Sequence, residues 1–63
     1  MDRVILFKEG TRVIVKDTPY HNGDKGTVMF DTYECQSYAQ VMMDNGWKMR
    51  FRLFNLQEES ENS

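Results

Sequence analysis

The chain is predicted to be all-β: a single small five-stranded barrel made from one strongly bent antiparallel sheet, with a short helical turn before the last strand. Three observations carry that expectation. Apolar residues recur at every second position through most of the chain, glycine-bearing turns separate the alternating runs, and no apolar stripe with helical spacing occurs. The barrel is expected over residues 1–57, followed by a disordered acidic tail over 58–63.

Val4-Ile5-Leu6-Phe7 either adds a strand or covers one end of the core, and the residues leave both open. In Thr11–Lys16 the buried set is Val13 and Val15, with Arg12, Ile14 and Lys16 opposite. A polar loop around Pro19 and Gly23 leads to Gly26–Asp31, where Gly26, Val28 and Phe30 point inward and Met29 outward. A glycine inside a strand pattern marks a bulge or a close backbone approach, and Gly26 takes one of those roles. Thr32–Ser37 is expected as a long loop, and Tyr38–Met43 as a strand burying Ala39, Val41 and Met43. Asp44-Asn45-Gly46 predicts a tight hairpin of type I′, because asparagine and glycine tolerate the positive φ angles of that turn. After it, Trp47, Met49 and Phe51 form the buried face and Lys48, Arg50 and Arg52 the wet one. Leu53-Phe54-Asn55 makes the helical turn, and Leu56 opens the closing strand.

A chain of 63 residues is one domain and buries about 60% of the surface its unfolded form exposes. The single cysteine, Cys35, excludes an internal disulfide, so the core must be apolar side chains alone, which suits a reducing compartment. No apolar run approaches the roughly 20 residues that cross a bilayer. A soluble, cytoplasmic, monomeric protein without a membrane partner is the expectation. Net charge is −2, but Glu58, Glu59 and Glu61 crowd the end; without residues 58–63 the balance is 8 − 7 = +1. A near-neutral body argues against a partner held by bulk charge.

Gly10-Thr11-Arg12-Val13, the loop Pro19-Tyr20-His21-Asn22-Gly23 and Lys25-Gly26-Thr27-Val28 resemble the KOW motif of SH3-like barrels found in transcription-elongation and ribosomal proteins. The second half is similar to the later strands of many such barrels, with Val41, Met43, Asp44-Asn45-Gly46, Phe51 and Leu56 as strand, turn, strand and closing leucine. A narrower resemblance links Pro19-Tyr20, Gly26-Thr27-Val28, Trp47 and Phe51-Arg52-Leu53 to the SH3-like subunits that help dock ferredoxin in photosynthetic complexes, photosystem I among them. In those proteins a basic surface receives an acidic carrier, a role that the resemblance gives to Lys48, Arg50 and Arg52.

The residues favour binding over catalysis. His21 and Cys35 are the only residues of their kinds, each sits in a predicted loop, and no catalytic signature surrounds either. No ligand pair has metal-site spacing and no phosphate-cradling glycine loop is present, so neither metal nor cofactor is expected. The candidate binding residues are Arg12, Lys48, Arg50 and Arg52 as cations, the last three projecting together from one strand, with Tyr20 and Tyr33 as loop aromatics. Tyr38 is expected to cap a barrel end, Trp47 to enter the core, and Ile14, Met29 and Met42 to form an outward apolar patch. A protein partner is favoured, in the manner of a small adaptor; a short single-domain chain also fits a phage- or prophage-encoded regulator of a host complex. RNA or DNA binding is the alternative, and ferredoxin docking the second.

Overall fold

The computed structural model describes residues 4–59, so the first three residues of the expected barrel and residues 60–63 of the expected tail lie outside it. The strands are β1 (Ile5–Phe7), β2 (Arg12–Val15), β3 (Lys25–Val28), β4 (Thr32–Tyr33), β5 (Tyr38–Met43), β6 (Lys48–Arg52) and β7 (Leu56–Glu58). A 3-10 turn, Leu53–Asn55, joins β6 to β7 as its sequence predicts. All-β is therefore right, but a single five-stranded barrel is not what forms. Five strands make one open antiparallel sheet in the order β6-β5-β3-β2-β7, and β1 pairs with β4 in a second sheet of two strands.

The alternation of the sequence becomes the two faces of the larger sheet. Val13 and Val15 of β2, Val28 of β3, Ala39, Val41 and Met43 of β5, and Leu56 of β7 are buried together, and Phe7 of β1 joins them from the smaller sheet. Met49 and Phe51 of β6 pack against this cluster but stay half-exposed, because β6 is an edge strand with one neighbour. Glu58 ends β7 and the Glu59 N–H donates to the Arg12 carbonyl at 2.8 Å, so the sheet runs past residue 57, the expected end of the barrel.

Three expectations about burial change. β3 stops at Val28, and the chain bends before Thr32, so Phe30 is 57% exposed while Thr32 takes the inward place. The buried Thr32 hydroxyl is satisfied by donating to the Phe30 carbonyl at 3.1 Å. The segment read as a long loop therefore opens with a strand: Tyr33 lies opposite Ile5, and Thr32 opposite Phe7. Trp47 stands at the corner of the sheet, before β6 begins, and is 68% exposed instead of entering the core.

The hairpin is present with a different turn. The Gly46 N–H donates to the Met43 carbonyl at 2.9 Å, and the Met43 N–H to the Trp47 carbonyl at 2.8 Å, which leaves three residues in the loop. Only Gly46 of those three has positive φ, at 95°. That is a type I turn followed by a glycine bulge, not type I′.

Gly26 makes the close backbone approach. A β-carbon there would stand 2.5 Å from Val41 Cγ1 and 2.8 Å from the Met42 carbonyl oxygen. The carbonyl belongs to the β3–β5 ladder and cannot swing aside. Gly26→Ala is expected to lower unfolding free energy by about 1–3 kcal/mol, the cost of overpacking a filled site. Urea denaturation followed by Trp47 fluorescence measures it, and an unchanged midpoint would show that the two strands have room to part.

Candidate functional site

The register of β5 on β6 decides which side chains meet on the outer face. Tyr38 lies opposite Arg52, Gln40 opposite Arg50, and Met42 opposite Lys48. Residues directly opposite on one face of an antiparallel pair have β-carbons about 4.5–5.5 Å apart. Lys48, Arg50 and Arg52 therefore project together, as their spacing predicts, and all three are exposed.

Tyr38 organises the group. The Arg50 guanidinium carbon lies 5.4 Å from the centre of its ring and that of Arg52 lies 5.7 Å away. Arg52 is also 5.8 Å from the ring of Phe54, a residue of the 3-10 turn. Each such cation–π contact at an exposed site is worth about 0.5–1 kcal/mol, enough to bias the conformation of a long side chain without hiding its charge. Neither guanidinium is in an ion pair with a carboxylate of the described residues.

Open grooves flank the stack. One of about 380 Å³ runs past Phe30, Asp31, Gln36, Tyr38 and Arg50. Another, of about 450 Å³, runs past Leu6, Glu34, Arg52, Leu53 and Phe54. Phe30, Tyr38 and Phe54 are thus exposed aromatic rings around two cations. Alternation alone assigns Phe30 to the core, Tyr38 to a barrel end and Phe54 to a turn without a role. The signal that finds Tyr38 is its position in the alternation: it shares a face with Gln40 and Met42, not with Ala39 and Val41.

The other three predicted binding residues go elsewhere. Arg12 is forked onto Asp44, with Nη1 donating to Oδ1 at 2.7 Å and Nη2 to Oδ2 at 2.8 Å. Its Nη1 also donates to the Thr27 hydroxyl at 2.9 Å, and Nε lies 3.6 Å from a Glu59 oxygen. The Lys25 ammonium reaches the other Glu59 oxygen at 3.2 Å. Arg12 therefore clamps β2 to the β5–β6 turn and to the end of β7. Tyr20 is exposed on the loop between β2 and β3, with the Thr18 hydroxyl accepting its N–H at 3.2 Å. That loop reaches the opposite face of β6, where His21 meets Phe51 edge-on at 6.3 Å between ring centres. Tyr33 is half-buried in the smaller sheet, and its N–H donates to Gln36 Oε1 at 3.1 Å.

The expected apolar patch of Ile14, Met29 and Met42 is half-buried. Lys25 stands opposite Ile14, and Thr27 opposite Met42. His21 Nδ1 lies 3.2 Å from Asp24 Oδ2, while Cys35 is exposed in the turn after β4. Among the described residues no cluster of His, Cys, Asp and Glu is able to hold a metal ion, and no helix is long and apolar enough to cross a membrane. Comparison with protein-family models, with curated proteins and with solved structures gives no match for this chain.

The clamp sets a pH dependence. The hydrogen bond from Arg12 holds the Asp44 carboxyl below its usual range, and the carboxylate in turn holds the guanidinium above its own. A carboxyl whose folded value is depressed adds stability that is complete above the unfolded value, about 3.9 for aspartate, and is lost as pH falls through the folded value. Asp44→Asn should therefore lower Tm at neutral pH, with the gap to wild type closing below about pH 4. A gap that stays constant down to acid would show that the ion pair contributes nothing to folding.

Proposed function

We propose that this chain is a non-enzymatic SH3-like binding module that recognises another protein through the Tyr38, Arg50, Arg52 and Phe54 face. The strand order supports the SH3-like reading: the last strand lies beside the first strand of the five-stranded sheet, and a 3-10 turn precedes it. One observation carries the functional reading. Two guanidinium groups are held against an exposed tyrosine ring and are left free of carboxylates among the described residues. Tyrosine and arginine are the residue types that dominate protein-interface energetics, since they combine large contact area with directional polar groups.

The same pairing of ring and cation suits single-stranded nucleic acid, the KOW-like alternative. The fate of Arg12 weighs against it. Affinity for a polyanion grows with the number of phosphates neutralised, and Arg12 is already committed to Asp44 and Glu59. What remains on this face is Lys48, Arg50 and Arg52, too few for strong sequence-independent binding. The ferredoxin-docking resemblance asks for a basic face toward an acidic protein, which agrees with a protein partner.

Selection from a displayed random-peptide library against the immobilised protein tests the proposal. Selected peptides are expected to lose about tenfold or more in affinity on Tyr38→Ala or Arg52→Ala and to be unaffected by Tyr20→Ala. Failure to enrich any peptide, together with low-salt binding of a mixed-sequence single-stranded RNA that depends on Tyr38, would replace the protein reading with the nucleic-acid one.

A further inference from the structure

We propose that the free edge of β6 is a strand-addition site for an extended segment of a partner protein in which acidic residues alternate with apolar ones. The inference rests on the protein-binding reading above and specifies the chemistry of the partner. It begins with the main chain. In an antiparallel pair, hydrogen-bonded residue pairs alternate with pairs whose N–H and C=O groups turn away from the partner strand. The bonds from the Met43 N–H to the Trp47 carbonyl at 2.8 Å and from the Leu53 N–H to the Ser37 carbonyl at 3.3 Å fix that alternation at both ends of the hairpin. The pairs between them that do not exchange hydrogen bonds are Met42 with Lys48, Gln40 with Arg50 and Tyr38 with Arg52. Because β6 is the last strand of its sheet among the described residues, the N–H and C=O groups of Lys48, Arg50 and Arg52 point outward from the edge.

The side chains of those residues state what the edge accepts. A second copy of β6 would bring Lys48, Arg50 and Arg52 against their own kind, which is how natural edges resist self-pairing. An acidic strand meets the opposite situation, since oppositely charged residues facing one another across a ladder are stabilising. Tyr38 already holds the guanidinium groups of Arg50 and Arg52 near its ring, so part of their ordering cost is met before binding.

The inner face adds the second half of the pattern. Met49 and Phe51 alternate with the cations and are left half-exposed at the edge. An added strand with an apolar residue at every other position would cover them. The partner pattern is therefore acid, apolar, acid, apolar, acid, with the acids about 7 Å apart. The opposite edge does not offer this. β7 is three residues long and ends in Glu58, whose charge repels an acidic strand.

The test is a titration of the labelled protein, followed by two-dimensional nitrogen–proton spectra at low salt, with a capped eight-residue peptide alternating Glu and Val. The Lys48 and Arg50 amide protons are expected to shift downfield and to exchange at least tenfold more slowly. N-methylation of the peptide along the edge that bonds to β6 should weaken binding about tenfold or more, and so should grouping its four acids at one end. Arg50→Glu should weaken the acidic peptide and favour one alternating Lys and Val. Equal binding of the N-methylated peptide would overturn strand addition while leaving a protein-binding face intact. If no peptide binds and a single-stranded oligonucleotide shifts Tyr38 and Arg50 instead, the protein-binding reading fails as well. Dimerisation of the free protein through β6, seen as concentration-dependent shifts of Lys48 and Arg50, would also overturn the proposal.

Discussion

A one-residue slip of β6 along β5 would carry Lys48, Arg50 and Arg52 to the core side and turn Met49 and Phe51 out to water, so the register of this hairpin is the constraint on which everything else depends. The three-residue loop at Asp44–Gly46 sets it. Gly46 adopts a φ of 95°, which an L side chain rarely tolerates, and the bulge it makes aligns Met43 with Trp47. Burial enforces the same choice from the other side. Val41 and Ala39 are buried opposite Met49 and Phe51, and any slip would set a cation beside the valine cluster without a partner.

Charge is divided between structure and surface by the same geometry. Arg12, Lys25, Asp44 and Glu59 form a continuous ion-pair network that ties the β5–β6 turn to β2 and to the end of β7. The network takes up a cation that would otherwise be open to a ligand. On β6 the arrangement is reversed: the guanidinium groups of Arg50 and Arg52 rest on aromatic rings and pair with no carboxylate of the described residues. Acidic residues held at the β7 end and basic residues held at the β6 edge make the sheet electrically lopsided although its net charge is small.

Much of the fold was legible in two-residue alternation. Val13, Val15, Val28, Ala39, Val41, Met43 and Leu56 are buried as their spacing implies, and the 3-10 turn falls on Leu53–Asn55. The turn type was legible too, from a feature that propensity alone passes over. Met43 and Trp47, or Val41 and Met49, share a face only if an odd number of residues separates the strands, which excludes a two-residue type I′ loop. The second sheet was hidden because β4 has two residues and its partner β1 is a short apolar run with no alternation. Phe30 and Trp47 misled for a common reason. Each stands at the end of an alternating run, Phe30 one residue past the last bond to β5 and Trp47 at the hairpin corner of an edge strand, and periodicity does not report where a sheet ends. Within the candidate site, the shared face of Lys48, Arg50 and Arg52 was readable from spacing. The roles of Tyr38, Phe54 and Arg12 were not, since each depends on residues brought close only by the fold, as when Asp44, 32 positions away, captures Arg12.

Amide hydrogen exchange along β6 bears most directly on the register. The ladder predicts a two-residue alternation, with the Met49 and Phe51 amides protected by β5 and the Lys48 and Arg50 amides exchanging at rates close to those of open chain. Uniform protection from Lys48 to Phe51, or protection with the opposite phase, would contradict both the free edge and the arrangement of faces built upon it.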